Sequence, residues 1–353
     1  MATLPVARAR RDLTTLLDDG LGVGDFSLRA AEVIRRSVPF AGVCVLTMDP
    51  ASLLPTGEVV VDGLPAHSRT RLAEIELLES DVNTYAQLVR QPIPAASLSA
   101  ATGGELDRSL RQRELRRPAG FGDELRAVLV GETGTWGAVT LLREAGDPWF
   151  TLREVGFVAA LSRVLAEGVQ RALLVAATDA APDDDTGMLV VGAEMTVTGS
   201  DPAAERWLDD LRVAGAGPRE LPVAVRAVVS RARLGAASAS PGRAAYGRAR
   251  TRSGRWVSLR ASLLDPGDRQ VTVALQAAGP RELAPLIADV YGLTERERVI
   301  TGLIAQGRPT QRIAADLHLS PYTVQDHLKS IFDKTGASSR GELVARIYLG
   351  EPG

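Results

Sequence analysis

Lysine is almost absent from this chain: of 41 basic residues, only Lys329 and Lys334 are not arginine. A phosphate loop of the G-x-x-x-x-G-K-[ST] type needs its lysine, so nucleotide hydrolysis by such a loop is excluded. A phospho-receiver domain also uses a lysine beside its acceptor aspartate, so activation by aspartyl phosphorylation in cis is not expected. Cysteine is represented by Cys44 alone, which rules out an internal disulfide and a Cys-rich zinc site. Set in an apolar run, Cys44 reads as a small hydrophobe. No histidine occurs between His67 and His318, so the middle of the chain has no imidazole for a haem or metal. His67 itself reads as a loop or helix-cap residue. No Ser/His/Asp set and no paired carboxylates stand at a meaningful spacing, and Asp183-Asp184-Asp185 reads as a solvated linker run. No enzyme activity, cofactor or metal is therefore expected. No apolar run approaches the ~20 residues of a membrane span. The N-terminus lacks the apolar core of a signal peptide, and a cytoplasmic location is expected.

What is present is enough for two or three domains in 353 residues, with 45% hydrophobic residues and a net charge of only −2. A composition shift over 178–187 marks a linker, and a second boundary falls near Ala278-Gly279-Pro280. The first segment, 1–177, alternates helix and strand signals. A helix from Asp25 carries Phe26, Ala30, Val33 and Ile34. Residues 42–48 read as a buried strand with 58–61 as hairpin partner, and helical patterns run to about Gln91. Strands follow at 126–130 and 136–142. Thr151 and Glu154 then form a capping box for a long helix to about Leu174. That helix would be about 36 Å long, more than one small sheet covers, so its stripe of Val158, Leu161, Leu165 and Ala172 is a candidate for pairing two copies. The second segment, 188–278, opens with a strand at Met188–Val191 and a helix capped by Asp201. It ends in a hairpin in which Val257, Leu259, Ala261 and Leu263 alternate on one strand and Val271, Val273 and Leu275 on the next. Asp265-Pro266-Gly267-Asp268 suits a type II turn between them. Trp136 and Trp256 read as core residues. The order helix, sheet, excursion, sheet, helix in the first segment resembles a GAF sensory domain, and the second segment resembles a PAS-like domain. Both would be α+β folds able to take a small-molecule or protein signal.

The last segment, 284–353, is helical throughout. Thr294 caps a helix from about Glu295 to Gln306, and Gly307 ends it. A second helix runs from Thr310 to about Leu317, burying Ile313, Ala314 and Leu317. Ser320 caps a third, with Pro321 at its first position, where no N–H is needed. Val324, Leu328 and Ile331 make its core stripe, while Tyr322, Gln325, Asp326, Lys329 and Asp333 fall on the other side. A fourth helix starts with the Ser339/Glu342 spacing and buries Leu343, Val344 and Ile347. Two short helices joined by a tight turn, the second with a free polar face, form a helix-turn-helix.

These residues also resemble the LuxR/GerE-type domain of bacterial transcription regulators. The matching positions are Leu293-Thr294, Arg296-Glu297, Gly307, Ile313-Ala314, Leu317, Ser320, Thr323-Val324, His327, Ile331, Lys334, Ser339-Arg340 and Glu342-Leu343. The resemblance implies an all-α four-helix domain that binds a double-stranded DNA operator, as a homodimer, with the fourth helix pairing the subunits. The candidate DNA-contacting residues are Thr310, Ser320, Tyr322, Thr323, Gln325, Asp326, His327, Lys329 and Lys334. Gln325 has the bidentate amide that suits adenine, Lys329 can reach a guanine edge or a phosphate, and Asp326 can accept from cytosine N4 or simply repel the wrong register. Thr323 and Lys334 suit phosphates, which position without reading sequence. His327 is either a packed structural histidine or a phosphate contact. Residues 284–353 hold eight basic and eight acidic residues, so no strong basic field assists binding. That balance implies modest affinity per monomer and a need for dimerisation. It is also the one support for a different reading, a protein-interaction sensor in which DNA contact is secondary.

Overall fold

Val45, Leu129 and Val139 alternate with Cys44, Leu46, Val128 and Ala138 along three neighbouring strands. The computed structural model covers the first set with helices and turns the second set to the opposite side. It describes residues 5–174, 185–212, 217, 220–237, 245–265, 267 and 269–349. Most of the expected linker, and Pro266 and Asp268 of the expected turn, lie outside the described residues. Two compact units emerge. One spans Met1 to Ala277 apart from short stretches, and the other comprises Ala278–Gly353 with those stretches, 132–134 and 174–176.

The larger unit opens with helices α1 (Val6–Leu16) and α2 (Val23–Arg35) and strands β1 (Gly42–Met48) and β2 (Pro55–Val61). Helices α3 (Arg69–Leu78) and α4 (Tyr85–Leu88), strand β3 (Ala95–Ser97) and helix α5 (Leu98–Thr102) form the excursion. Strands β4 (Phe121–Gly131) and β5 (Gly134–Glu144) and helix α6 (Leu152–Leu174) close the first half. Its sheet has the order β2-β1-β5-β4-β3. The second half contains β6 (Gly187–Val191), β7 (Val197–Ser200), α7 (Pro202–Leu211), α8 (Val223–Ala237), β8 (Ala245–Arg250), β9 (Trp256–Asp265) and β10 (Gln270–Ala277). Its order, β7-β6-β10-β9-β8, repeats the topology of the first sheet. Both expected hairpins of these halves form, but β3 and β8 are additional strands that the sequence pattern did not announce.

Helix α8 packs against β2 and α3 of the first half as well as β8 and β9 of the second. Leu54, delivered by a turn in which Leu53 is left-handed (φ 57°), belongs to the second half's core. Buried ion pairs accompany this docking. Arg248 donates to Asp49 Oδ2 through Nε at 3.0 Å and Nη2 at 2.8 Å, and Arg226 donates to Glu58 at 2.7 Å. Within the first half, Arg111 is fully buried and donates to Asp81, Glu124 and the Val82 carbonyl, which fixes the excursion to β4. The paired arginines outweigh burial, which alone would raise the Glu124 carboxyl, and hold it down at about 2.

Thr151 and Glu154 cap α6 as expected, the Thr151 N–H donating to Glu154 at 2.8 Å. The stripe on α6 is not a free face. Leu161 is 0% and Leu165 3% exposed, and Leu165 and Val169 meet Phe26, Ile34 and Val45 from α2 and β1. The expectation that this stripe pairs two copies is corrected: a helix covered by both sheet and helix spends its apolar surface inside one chain. Gly168 shows how close the fit is. A Cβ there would lie 1.8 Å from the tip of the Phe26 ring. Gly168→Ala should lower stability by about 1–3 kcal/mol, read from urea unfolding of the whole chain. Phe26→Leu in the same chain should recover part of the loss; additivity of the two changes would refute the contact as the cause.

Candidate nucleic-acid interface

The smaller unit is built by caps that the sequence displays. A leading helix, α9 (Pro280–Val290), precedes α10 (Glu295–Ala305), α11 (Thr310–Asp316), α12 (Pro321–Thr335) and α13 (Arg340–Val344), whose last turn continues through Ala345–Leu349. The four-helix expectation is thus short by one, because α9 lies largely upstream of the matching residues. Ala284, Ile287 and Ala288 of α9 join Ile300, Ile313, Val324, Ile331 and Leu343 in one core, and α9 packs on the last turn of the chain. Part of the surface expected for subunit pairing is therefore covered from within. Leu343 and Ile347 are buried as expected, while Val344 is only half-buried. The Ser339/Glu342 box is displaced by one residue. Ser339 accepts from the Glu342 N–H at 3.2 Å, but the Glu342 carboxylate takes the Ser338 N–H at 2.7 Å.

Thr294 and Glu297 form a full capping box on α10. Glu297 is also buried, and beyond the Thr294 N–H at 2.7 Å it gathers two further donors, Ser330 Oγ at 2.7 Å and Lys334 Nζ at 2.7 Å. Burial works to raise this carboxyl, but the Lys334 ammonium, the Thr294 N–H and the Ser330 hydroxyl outweigh it and hold the pKa at about 2, against an ordinary 4.5. Glu297 ties α10 to α12 and is the residue whose role went unread. Its signal was the Thr294-x-x-Glu297 spacing, the same capping-box pattern that marked α6.

Lys334, a candidate for a phosphate, has a partner inside the module. Its ammonium donates to Glu297 and, at 3.1 Å, to the Gly292 carbonyl. It closes the module rather than standing free for a phosphate. Thr310 is half-buried and its hydroxyl accepts from Arg340 Nη2 at 2.6 Å. Ser320 caps α12, accepting from the Thr323 N–H at 3.0 Å, and the two hydroxyls lie 2.8 Å apart. Tyr322, Gln325, Asp326 and Lys329 share the outer side of α12, and His327 flanks its core stripe. Tyr322 is 72% exposed, Gln325, Asp326 and Lys329 are exposed, and His327 is half-buried. Val324, Leu328 and Ile331 face the core. Among the described residues, none holds the side chains of Gln325, Asp326, His327 or Lys329 by a hydrogen bond or ion pair. A helix anchored on one side, with unspent donors and acceptors on the other, is what a base-reading element requires.

The charge balance also resolves into pairs. Arg298 binds Asp289 and Glu295, Arg312 binds Asp316, Lys334 binds Glu297 and Arg346 binds Glu342. Arg296 donates to the Leu317 carbonyl at 2.8 Å. Of the eight basic residues of 284–353, Arg296, Arg308, Lys329 and Arg340 have no acidic partner; Arg308 and Lys329 are exposed.

The family model for bacterial regulatory proteins of the luxR family matches residues 292–347. The chain is 42% identical over 57 residues to the monoamine regulon transcriptional regulator of Klebsiella aerogenes, covering 16% of this chain and 25% of that one. It is 43% identical over 58 residues to the transcriptional regulatory protein UhpA of Escherichia coli, covering 16% and 30%. It therefore spans under a third of the length of either relative. With the spore germination protein GerE of Bacillus subtilis, 35% identity over 60 residues covers 17% of this chain and 81% of that one. Among solved structures, a GAF domain/HD domain protein from Geobacter sulfurreducens aligns to 46% of this chain and 98% of its own, at 20% identity and a TM-score of 0.32. That score is too low to bear on the fold, which rests on the strand order described above.

The Glu297 cluster makes the module's stability depend on acid. Its contribution is complete above the ordinary carboxylate pKa of 4.5 and falls away as pH drops toward about 2. The difference in melting temperature between the natural chain and Glu297→Gln should therefore shrink as pH falls from 6 to about 3. Lys334→Met should cost about 1–3 kcal/mol by leaving the buried carboxylate short of a partner. An unchanged melting temperature in Lys334→Met would restore the lysine to the pool of phosphate contacts.

Proposed function

The chain belongs to the luxR family of bacterial regulatory proteins, and on that premise we propose that it is a sequence-specific operator-binding regulator that acts as a homodimer, in the cytoplasm, under control of a signal received by its larger unit. In this reading the protein works by binding, not by catalysis. The first half of the larger unit is a GAF-like domain and the second a PAS-like domain, with boundaries near 1–177 and 188–278, and the DNA-binding domain covers 284–353 with α9 as its leading helix. The shared strand order of the two sheets supports that assignment, since both fold types are single sheets with helices folded over one face.

The observation that carries the reading is the outer side of α12, where Tyr322, Gln325, Asp326 and Lys329 stand exposed on a helix whose other side is locked into the core. Gln325 and Asp326 read bases, Lys329 reads a base edge or a phosphate, and Thr323 with the α12 N-terminus meets the backbone. Thr310, Ser320 and His327 frame that surface. Dimerisation follows from need: one helix reads a few base pairs, the module has few unpaired cations, and two copies on a two-fold site double the contact.

Selection of bound fragments from genomic DNA by the full chain should yield a two-fold symmetric site. Gln325→Ala should lose about 1–3 kcal/mol of discrimination at one position of each half-site while retaining non-specific binding. Lys329→Ala, if it meets a phosphate, should weaken all sequences alike and flatten the log–log salt slope by about one. Identical behaviour of the two variants would defeat the division into base and backbone contacts. A full chain that binds a single half-site as tightly as the whole operator would defeat the dimer.

A further inference from the structure

Above the first sheet, on the side away from α2 and α6, lies a cavity of about 80 Å³, where a single water needs only ~10–15 Å³ by the same kind of measure. Strands β1, β2 and β5 form its floor and α3 one wall, and Val223, Arg226 and Ala227 of α8 close it from the second half. Leu46, Val60, Leu64, Leu72 and Leu77 make most of the lining apolar. Cys44 also opens onto it, and burial, with Glu58 nearby, pushes that thiol up to about 12, so it is no nucleophile at neutral pH.

Four arginines stand on this wall, Arg69, Arg116, Arg126 and Arg226, against two carboxylates, Glu58 and Glu76. Two of the four are spoken for. Arg126 donates to Glu76 at 2.8 Å and to the Asn83 carbonyl at 2.8 Å and lies over the Tyr85 ring at 3.7 Å, while Arg69 donates to Glu220 at 2.9 Å. All four nonetheless keep a buried Nε without a hydrogen-bond partner, and Arg226 keeps Nη1 free as well. Arg226 is 2% exposed and spends Nη2 on Glu58, but its Nε and Nη1 have no hydrogen-bond partner. Arg116 is 4% exposed, and its Nε has none either. Its nearest carboxylate oxygen, Glu124 Oε2, lies 3.4 Å away as an ion pair without a hydrogen bond, while Arg111 takes Oε1. Buried guanidinium donors left unpaired are costly. Five of them, three on Arg116 and Arg226, belong to residues lining one apolar cavity and call for an acceptor that brings negative charge.

We infer that this composite cavity binds a small organic monocarboxylate, its carboxylate taken by Arg116 and Arg226 and its hydrocarbon or aromatic body by the leucines of the floor and of α3. Glu58 and Glu76 on the same wall disfavour a second anionic group, and the apolar lining disfavours free phosphate. Because Arg226 and the closing residues come from α8, an occupied cavity ties the two sheets together through the ligand. The inference deepens the proposal that the larger unit receives a signal, and does not depend on DNA binding.

The test is calorimetric titration of the full chain, without DNA, using benzoate and hexanoate, their neutral amides, and inorganic phosphate. The acids should bind, and the amides and phosphate should bind at least about tenfold more weakly, the loss expected of a charge-assisted contact. Arg116→Gln should remove the preference for acid over amide. Ala73→Phe, which fills the cavity from α3 and leaves every arginine in place, should abolish binding of both, with circular dichroism confirming the fold of each variant. Equal binding of acids and amides, or acid binding that survives Ala73→Phe, overturns the assignment. So does the absence of binding by either acid to the natural chain; the arginines would then be hydrated by water alone. Gel retardation on the same preparation reports DNA binding separately, so the two readings fail independently.

Discussion

A carboxylate withdrawn from water must find a cation, and that rule governs how the two sheets of the larger unit are joined. Asp49 and Glu58 belong to the first half, and each is buried against an arginine of the second. Breaking one such pair by removing a single partner typically costs about 3–5 kcal/mol, although replacing both partners by well-packed apolar residues is often neutral. The pairs are thus weak evidence of stability but strong evidence of registration: only one placement of α8 and β8 on β1 and β2 satisfies both. Leu54, reaching from the β1–β2 turn into the second core, points the same way. What the sequence presents as two consecutive α+β segments is held as one body.

The smaller unit uses the same rule on a smaller scale. Glu297 is at once a helix cap and the buried partner of Lys334, and α10 and α12 cannot separate without stranding it. This explains how a short helix can offer a fully polar outer side. The energy that holds α12 comes from Val324, Leu328 and Ile331 beneath and from the Glu297 cluster at its C-terminal end, so Gln325, Asp326 and Lys329 carry no structural duty. Ion pairs within the module take up Arg298, Arg312, Lys334 and Arg346, which leaves few cations for a polyanion.

Much of this was legible. Period-two alternation revealed β9 and β10, and the capping residues Thr294, Ser320, Asp201 and Thr151 marked the helices they begin. Other features escaped for physical reasons. Strand β8, with arginines at 248 and 250, reads as a polar loop because Asp49, against which Arg248 is buried, lies 199 residues earlier in the chain. Strand β3 is three residues long and shows no period. Helix α9 contains Pro285 in its interior, a residue that argues against a helix because it lacks the backbone N–H that a helix interior uses. The stripe on α6 was visible, but amphipathicity says only that a face is covered, not by what. Lys334 and Lys329 look equivalent in a sequence; a carboxylate one helix away separates them.

Helix α8 gives the fold a property that matters to anyone working with alleles of this protein. It packs at once on β2, α3, β8 and β9, and it closes the cavity above the first sheet. A substitution on it therefore has no single address: the same change loosens two hydrophobic cores and one binding wall. Screens for poorly folding variants would gather on these fifteen residues, whichever half of the unit they were meant to probe. Dissecting the larger unit into two separately produced halves would leave this helix without one set of its neighbours in either piece, so the two halves have to be inherited, and studied, together.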